Sequence, residues 1–251
     1  MVVGVSLLAV ALIALATLGP REWQLVSVLS LDALLVLVQG YILWRLWQQS
    51  PTFREARDAY LRGDFEGAVR LLEGSRDTRG LDPVAETLLG NAYRQLGRLE
   101  ESERVLRSAY QAEPHAPLPA YGLGRTLLVR GQYAEAASLM ADALAKRGRP
   151  VILADLGLAQ CRAGMWAEAV ASLQEAIGLE LEPHRALMAH YLLWRLRECP
   201  ADGALRATLE PFREGLDVWR AEVERFSGTP YGVALAEDIA RIEEVLEGQF
   251  P

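Results

Sequence analysis

The sequence predicts an all-α protein: an N-terminal two-helix transmembrane hairpin, then an α-solenoid of about four helix pairs, closed by C-terminal capping helices. Three observations carry this. The first fifty residues are nearly free of charge, whereas the rest is charged and rich in Ala, Leu, Glu and Arg. A set of glycines and small residues recurs with a period of 34, 34 and 33 residues. No stretch shows the two-residue alternation of a half-buried strand.

The hairpin occupies residues 1–50. Residues 2–18 carry no charge, and a run of that length is just enough to cross a hydrocarbon core of about 30 Å. Gly19-Pro20-Arg21-Glu22 is a charged turn. Residues 23–47 form the second span, with Trp23 at one end and Tyr41, Trp44 and Trp47 at the other. Amphipathic rings favour the headgroup level, so these two sets mark two interfaces. A cleaved signal peptide is the alternative for the first run, since Ala14-Leu15-Ala16 resembles a cleavage site. Against it, no Lys or Arg precedes the run, and a second apolar run follows after four residues. Arg45, Arg54, Arg57 and Arg62 gather at or beyond the end of the second span, against Arg21 in the turn. The excess of positive charge puts both termini in the cytoplasm of a two-pass protein. Asp32 stands near the middle of the second span, where an ionised carboxylate costs about 3 kcal/mol. It is either tolerated there in its protonated form or meets a polar group on a partner's transmembrane helix.

The remaining chain is periodic. Gly63, Gly97, Gly131 and Gly164 are each followed two residues later by Phe65, Leu99, Tyr133 or Trp166. Ala68, Ser102, Ala136 and Ala169 come next, then Leu72, Leu106, Met140 and Leu173. Upstream, Leu89-Gly90, Leu123-Gly124 and Leu156-Gly157 keep the same period. The glycine after each first helix suits a left-handed residue that ends it. The glycine inside the first helix gives up about 1 kcal/mol of propensity in exchange for close approach of a neighbour. Proline between the repeats stops the second helix. Helices are expected at 52–62, 65–75, 83–96, 99–112, 117–130, 133–146, 151–163 and 166–179. Past Pro183 the register degrades: one more first helix from His184 to Glu198, a helix over 204–226 broken near Pro211, and a last helix over 231–247 with Glu237, Asp238, Glu243 and Glu244 on its wet face. These close the open end of the array.

This pattern resembles the tetratricopeptide repeat, with copies at about 51–82, 83–116, 117–149 and 150–183, and residues 184–251 as a degenerate repeat with capping helices. The first copy has Glu55-Ala56 in place of Leu-Gly. The resemblance implies a right-handed superhelix whose concave face, lined by the first (A) helices, takes a peptide segment of a partner. On this sequence the concave positions are Thr87, Asn91, Arg94 and Gln95, then Tyr121, Arg125 and Leu128, then Ala154, Leu158 and Arg162. Some relatives clamp a terminal carboxylate there with Lys, Asn and Arg. Here only Asn91 matches; Thr87 stands in the place of a Lys, and Asp155 in that of a basic residue. Arg94, Arg125 and Arg162 are either solvated surface or contacts for an acidic, carboxylate-bearing ligand.

Function classes narrow accordingly. A net charge of −7 lacks the basic footprint of a nucleic-acid binder. Lys146 is the single lysine, and the two cysteines, Cys161 and Cys199, form no CxxC pair. His115, His184 and His190 show no metal-ligand spacing, and no glycine-rich phosphate loop is present. No enzyme, cofactor, metal or small-molecule substrate is expected. The expectation is a scaffold that recruits or assembles partner proteins at a bacterial inner membrane, with the repeats in the cytoplasm. Two alternatives are an accessory subunit held through the hairpin, and an extracytoplasmic protein of envelope or pilus assembly.

Overall fold

The computed structural model describes residues 20, 28–40, 51–146, 151–197 and 203–249. The chain divides into two compact units, residues 1–54 and 55–251. In the first, residues 28–40 are helical and leave Val28, Leu29, Leu35, Val36 and Leu37 exposed, together with Asp32. Most of the two expected spans, 2–18 and 23–47, lies outside the described residues. Among the described residues, no helix is long and apolar enough to cross a membrane.

From residue 51 the described chain is helical throughout. The elements are α1 (Pro51–Leu61), α2 (Phe65–Arg79), α3 (Pro83–Gln95), α4 (Leu99–Ala112), α5 (Pro117–Val129), α6 (Tyr133–Ala145), α7 (Val151–Arg162), α8 (Trp166–Ile177) and α9 (Pro183–Leu196). Then follow α10 (Gly203–Leu209), a 3-10 turn (Glu210–Gly215), α11 (Leu216–Phe226) and α12 (Pro230–Glu247). Odd-numbered helices from α3 to α9 neighbour one another along one face, and each packs against the even-numbered helix of its own pair.

The periodic residues account for this packing. Gly63, Gly97, Gly131 and Gly164 all have positive φ, between 74° and 82°, where a Cβ is strained. Each lets the chain reverse within about three residues, so the second helix returns along the first. The glycine within each A helix meets the leucine or methionine sixteen residues on. A Cβ at Gly90 would lie 2.4 Å from Leu106, at Gly157 2.5 Å from Leu173, and at Gly124 3.0 Å from Met140. Leu106, Leu173 and Met140 are fully buried, so the missing methyl is what lets paired helices interlock. In the first copy Ala56 takes the glycine position and is buried, whereas Glu55 is exposed. Its counterpart Leu89 is fully buried.

Three details differ from the sequence reading. Helix α2 runs four residues past the expected 75, to Arg79, where Gly80 ends it at φ 74°. Pro183 opens α9 rather than ending α8, which stops at Ile177. A first-turn proline gives up an N–H that has no helical partner anyway; Pro83, Pro117 and Pro230 do the same. Asp238 is 2% exposed and not on the wet face. It sits on the stripe of Leu235, Ile239 and Ile242, and ion pairs make that burial tolerable.

Candidate functional site

The C-terminal helices decide what the A-helix face can do. Helix α11 packs on α9, and α12 packs on α5 and α10. Trp219, Phe226, Tyr231, Leu235 and Ile242 join one apolar cluster with Leu127, Leu158, Tyr191 and Leu192 of the A helices. The docking is local and tight at one corner. Trp219 Nε1 donates to the His184 carbonyl at 2.6 Å, and the His184 and Trp219 rings meet edge-on at 5.6 Å. A Cβ at Gly215 would stand 2.5 Å from His184 Cα. His190 stacks on Phe212 at 5.3 Å, whereas His115 is exposed.

The groove residues therefore meet residues of the same chain. Arg125 reaches Asp155 at 3.0 Å and Glu222 of α11 at 3.2 Å. Asp155, 2% exposed, also accepts from the Tyr121 hydroxyl and lies 3.6 Å from Arg185. Glu222 also accepts from the Tyr231 hydroxyl at 2.8 Å. Asp238 of α12 joins Arg162 and Arg195, and Arg162 donates in addition to the Ala234 carbonyl at 3.1 Å. Arg225 donates to Gln95, and its guanidinium lies 5.9 Å from the centre of the Phe65 ring. Asn91 is half-buried; a Cβ at Gly122 would lie 3.2 Å from its Oδ1. Arg94 is buried with no described carboxylate in ion-pair range.

Electrostatics follow from this arrangement. Burial would raise the Asp155 carboxyl, but Arg125 and Arg185 outweigh it and hold it below the usual range. Burial would lower the Arg125 pKa, and Asp155 with Glu222 reverses that. Burial, then Asp155, pushes the Tyr121 hydroxyl up to about 12. Burial raises the Cys161 thiol to about 11, so it is a packed thiol and not an activated nucleophile. Cys199 lies outside the described residues. No group of three or more His, Cys, Asp or Glu side chains could hold a metal ion among the described residues.

Of the expected groove residues, Tyr121 and Arg125 share one polar network around Asp155 and Glu222, Arg162 joins another around Asp238, and Gln95 pairs with Arg225. Asp32 lies in the other unit. Sequence reasoning placed Asp155 only as a departure from the clamp and Asp238 on the wet face, and passed over Glu222, so it missed the three carboxylates that organise these networks. Asp238 had a legible signal, because it falls three residues after Leu235 and four before Ile242 on an apolar stripe. Asp155 had a weaker one, being an acid in an otherwise apolar helix. Glu222 had none, since its role depends on a partner 97 residues away.

Comparison with known proteins places the fold. The structure is similar to TTC0263, a thermophilic TPR protein in Thermus thermophilus, at 19% identity and a TM-score of 0.54 over 76% of this chain and 96% of that one. It is similar to MamA from Desulfovibrio magneticus RS-1, at 18% identity and a TM-score of 0.51 over 80% and 98%. A MamA labelled MSR-1 aligns at 24% identity and a TM-score of 0.51 over 66% and 93%. These likenesses concern the fold. No curated protein matches the chain. The tetratricopeptide repeat profile matches residues 53–117 and 121–183, which is half of the sequence. With its glycine-terminated A helices and interlocked pairs, the chain belongs to the tetratricopeptide repeat family.

Proposed function

We propose that this protein is a membrane-anchored scaffold that recruits or assembles partner proteins, without catalysis, through the face formed by its A helices. The observation that carries the reading is the stack of helix pairs itself, in which Arg94 of α3 is buried with no described carboxylate in ion-pair range, whereas Arg125, Arg162, Arg185 and Arg195 are paired within the chain. One uncompensated cation suits a carboxylate of an acidic protein segment, and it is far from the basic footprint nucleic acid requires. Two mostly apolar runs, 2–18 and 23–47, supply the anchor, in a bacterial inner membrane, with the repeats on the cytoplasmic side. A reporter fused at Pro251 tests that orientation.

The groove reading is tested by photo-crosslinking full-length protein, purified in gentle detergent, from position 91 in α3 and from position 166 in α8. Trp166 is 56% exposed and lies on a second helix of its pair. Adducts from 91 support the groove; adducts from 166 alone refute it.

A second reading has its own observation. Asp32 is exposed on a helical stretch beside Leu29, Leu35 and Val36, which suits contact with a partner's membrane helix, as in an accessory subunit. Asp32→Leu should then preserve insertion and lose a co-purifying membrane protein. Retention of that protein would dismiss this reading.

A further inference from the structure

The groove arginines are not electrically equivalent. Arg125 has Asp155 and Glu222, Arg162 and Arg195 share Asp238, and Arg185 reaches Asp155 and Glu182. Arg94 has no carboxylate partner among the described residues, although it is only 7% exposed. Its Nε is sealed from solvent and donates to nothing. The charge it feels most strongly is that of Arg125, of its own sign. Glu222 acts on it at longer range, but the Oε1 of that residue is committed to Arg125 and the Tyr231 hydroxyl. The adjacent Gln95 is held by Arg225. Tyr60 and Tyr121 flank Arg94 electrostatically, and the Tyr121 hydroxyl donates its hydrogen bond to Asp155.

A guanidinium stays charged at neutral pH, so this burial cannot be relieved by losing a proton. A buried cation without a counter-ion is costly, and every other arginine on this face has one. We infer that Arg94 is the seat for one carboxylate group supplied by an acidic segment of a protein partner, entering where Arg225 of α11 meets Gln95 of α3. The carboxylate would accept from the guanidinium, complete its ion pair, and compete with Glu222 for the neighbouring Arg125. The proposal rests on the scaffold reading only for the source of the carboxylate.

The test uses full-length protein in detergent, with N-acetyl-tetraglutamate amide and glutarate as probes, ionic strength being balanced with chloride. At about tenfold its Kd the peptide should raise the Tm of the wild type by about 3 °C. Arg94→Met should abolish that rise, and Arg94→Lys should keep part of it. Without probe, Arg94→Met should melt at or above the wild type, because it removes an unpaired buried charge. An equal peptide response in wild type and Arg94→Met overturns the seat, as does an Arg94→Met protein that melts lower and still responds. A glutarate response equal to that of the peptide overturns the protein source and assigns the seat to a free acid. Should Arg94→Met not fold, Arg94→Gln carries the same comparison. Failure of partner capture by wild-type protein would count against the scaffold reading, whereas loss of the Arg94-dependent response counts against the seat.

Discussion

Asp155 of α7 gathers Tyr121, Arg125 and Arg185 around itself. Buried ion pairs of this kind are costly to break from one side, because the survivor keeps its desolvation penalty. Arg125→Met is therefore expected to destabilise the fold by about 3–5 kcal/mol, as it leaves the buried Asp155 with Arg185 as its remaining cation and deprives Glu222 of its own. Urea denaturation followed by circular dichroism measures this, and a loss under about 1 kcal/mol would mean that the network is not formed in solution. The contrast with Arg94 of α3 is one of partners and not of residue type. Ser102 shows the same logic in neutral form. It is fully buried, and its Oγ donates to the Gly90 carbonyl at 2.7 Å and lies 2.8 Å from Thr126 Oγ1. That is why a hydroxyl can replace the alanine found at 68, 136 and 169.

Helices pair here because glycines permit contacts that no other residue allows. Gly90→Ala would drive a methyl into the branch point of Leu106, which cannot retreat from a packed core, at an expected cost of about 1–3 kcal/mol. Gly131→Ala adds strain at φ 81° to a contact 3.2 Å from Pro230, again at about 1–3 kcal/mol. Thermal denaturation of the two variants checks both figures. Gly215 works between elements: its Cα faces the His184 backbone, which cannot rotate aside. Gly215→Ala should loosen α11 and α12 from the A helices while leaving the repeats folded. Hydrogen exchange would report this as lost protection in residues 216–247 with protection retained in 99–145; uniform loss would refute a separable C-terminal pair. Helix existence and bounds from 83 to 179 were readable to within two residues, because one pattern recurs from copy to copy. The break at Pro211 was readable as well, since proline lacks the N–H, although its resolution into a 3-10 turn was not.

Across the described repeat unit, stability should depend on pH through two sets of groups. Burial lowers the His184 and His190 pKa values below 6.5, so the folded state binds fewer protons than the unfolded one. Their contribution is complete above pH 6.5 and is lost as pH falls beneath it. Asp155, held low in the fold, contributes above its unfolded value near 3.9 and loses that contribution as pH falls below about 4. Urea midpoints at pH 8, 6 and 5 should decline, and His184→Gln with His190→Gln should flatten that decline. A slope unchanged in the double variant would show that other groups carry it.

Repetition is why so much was legible in the sequence: a period of about 34 residues, glycines at two set offsets and small residues at a third determine the helix pairs, their turns and their family. Local patterns suffice for these, because each contact joins residues within about one repeat. The fate of the groove was decided by the tertiary structure. Which arginines find a carboxylate, and which one does not, depends on Glu222 and Asp238 arriving from the far end of the chain. No periodicity encodes a pairing made once, across some 76 to 97 residues, by helices outside the repeats.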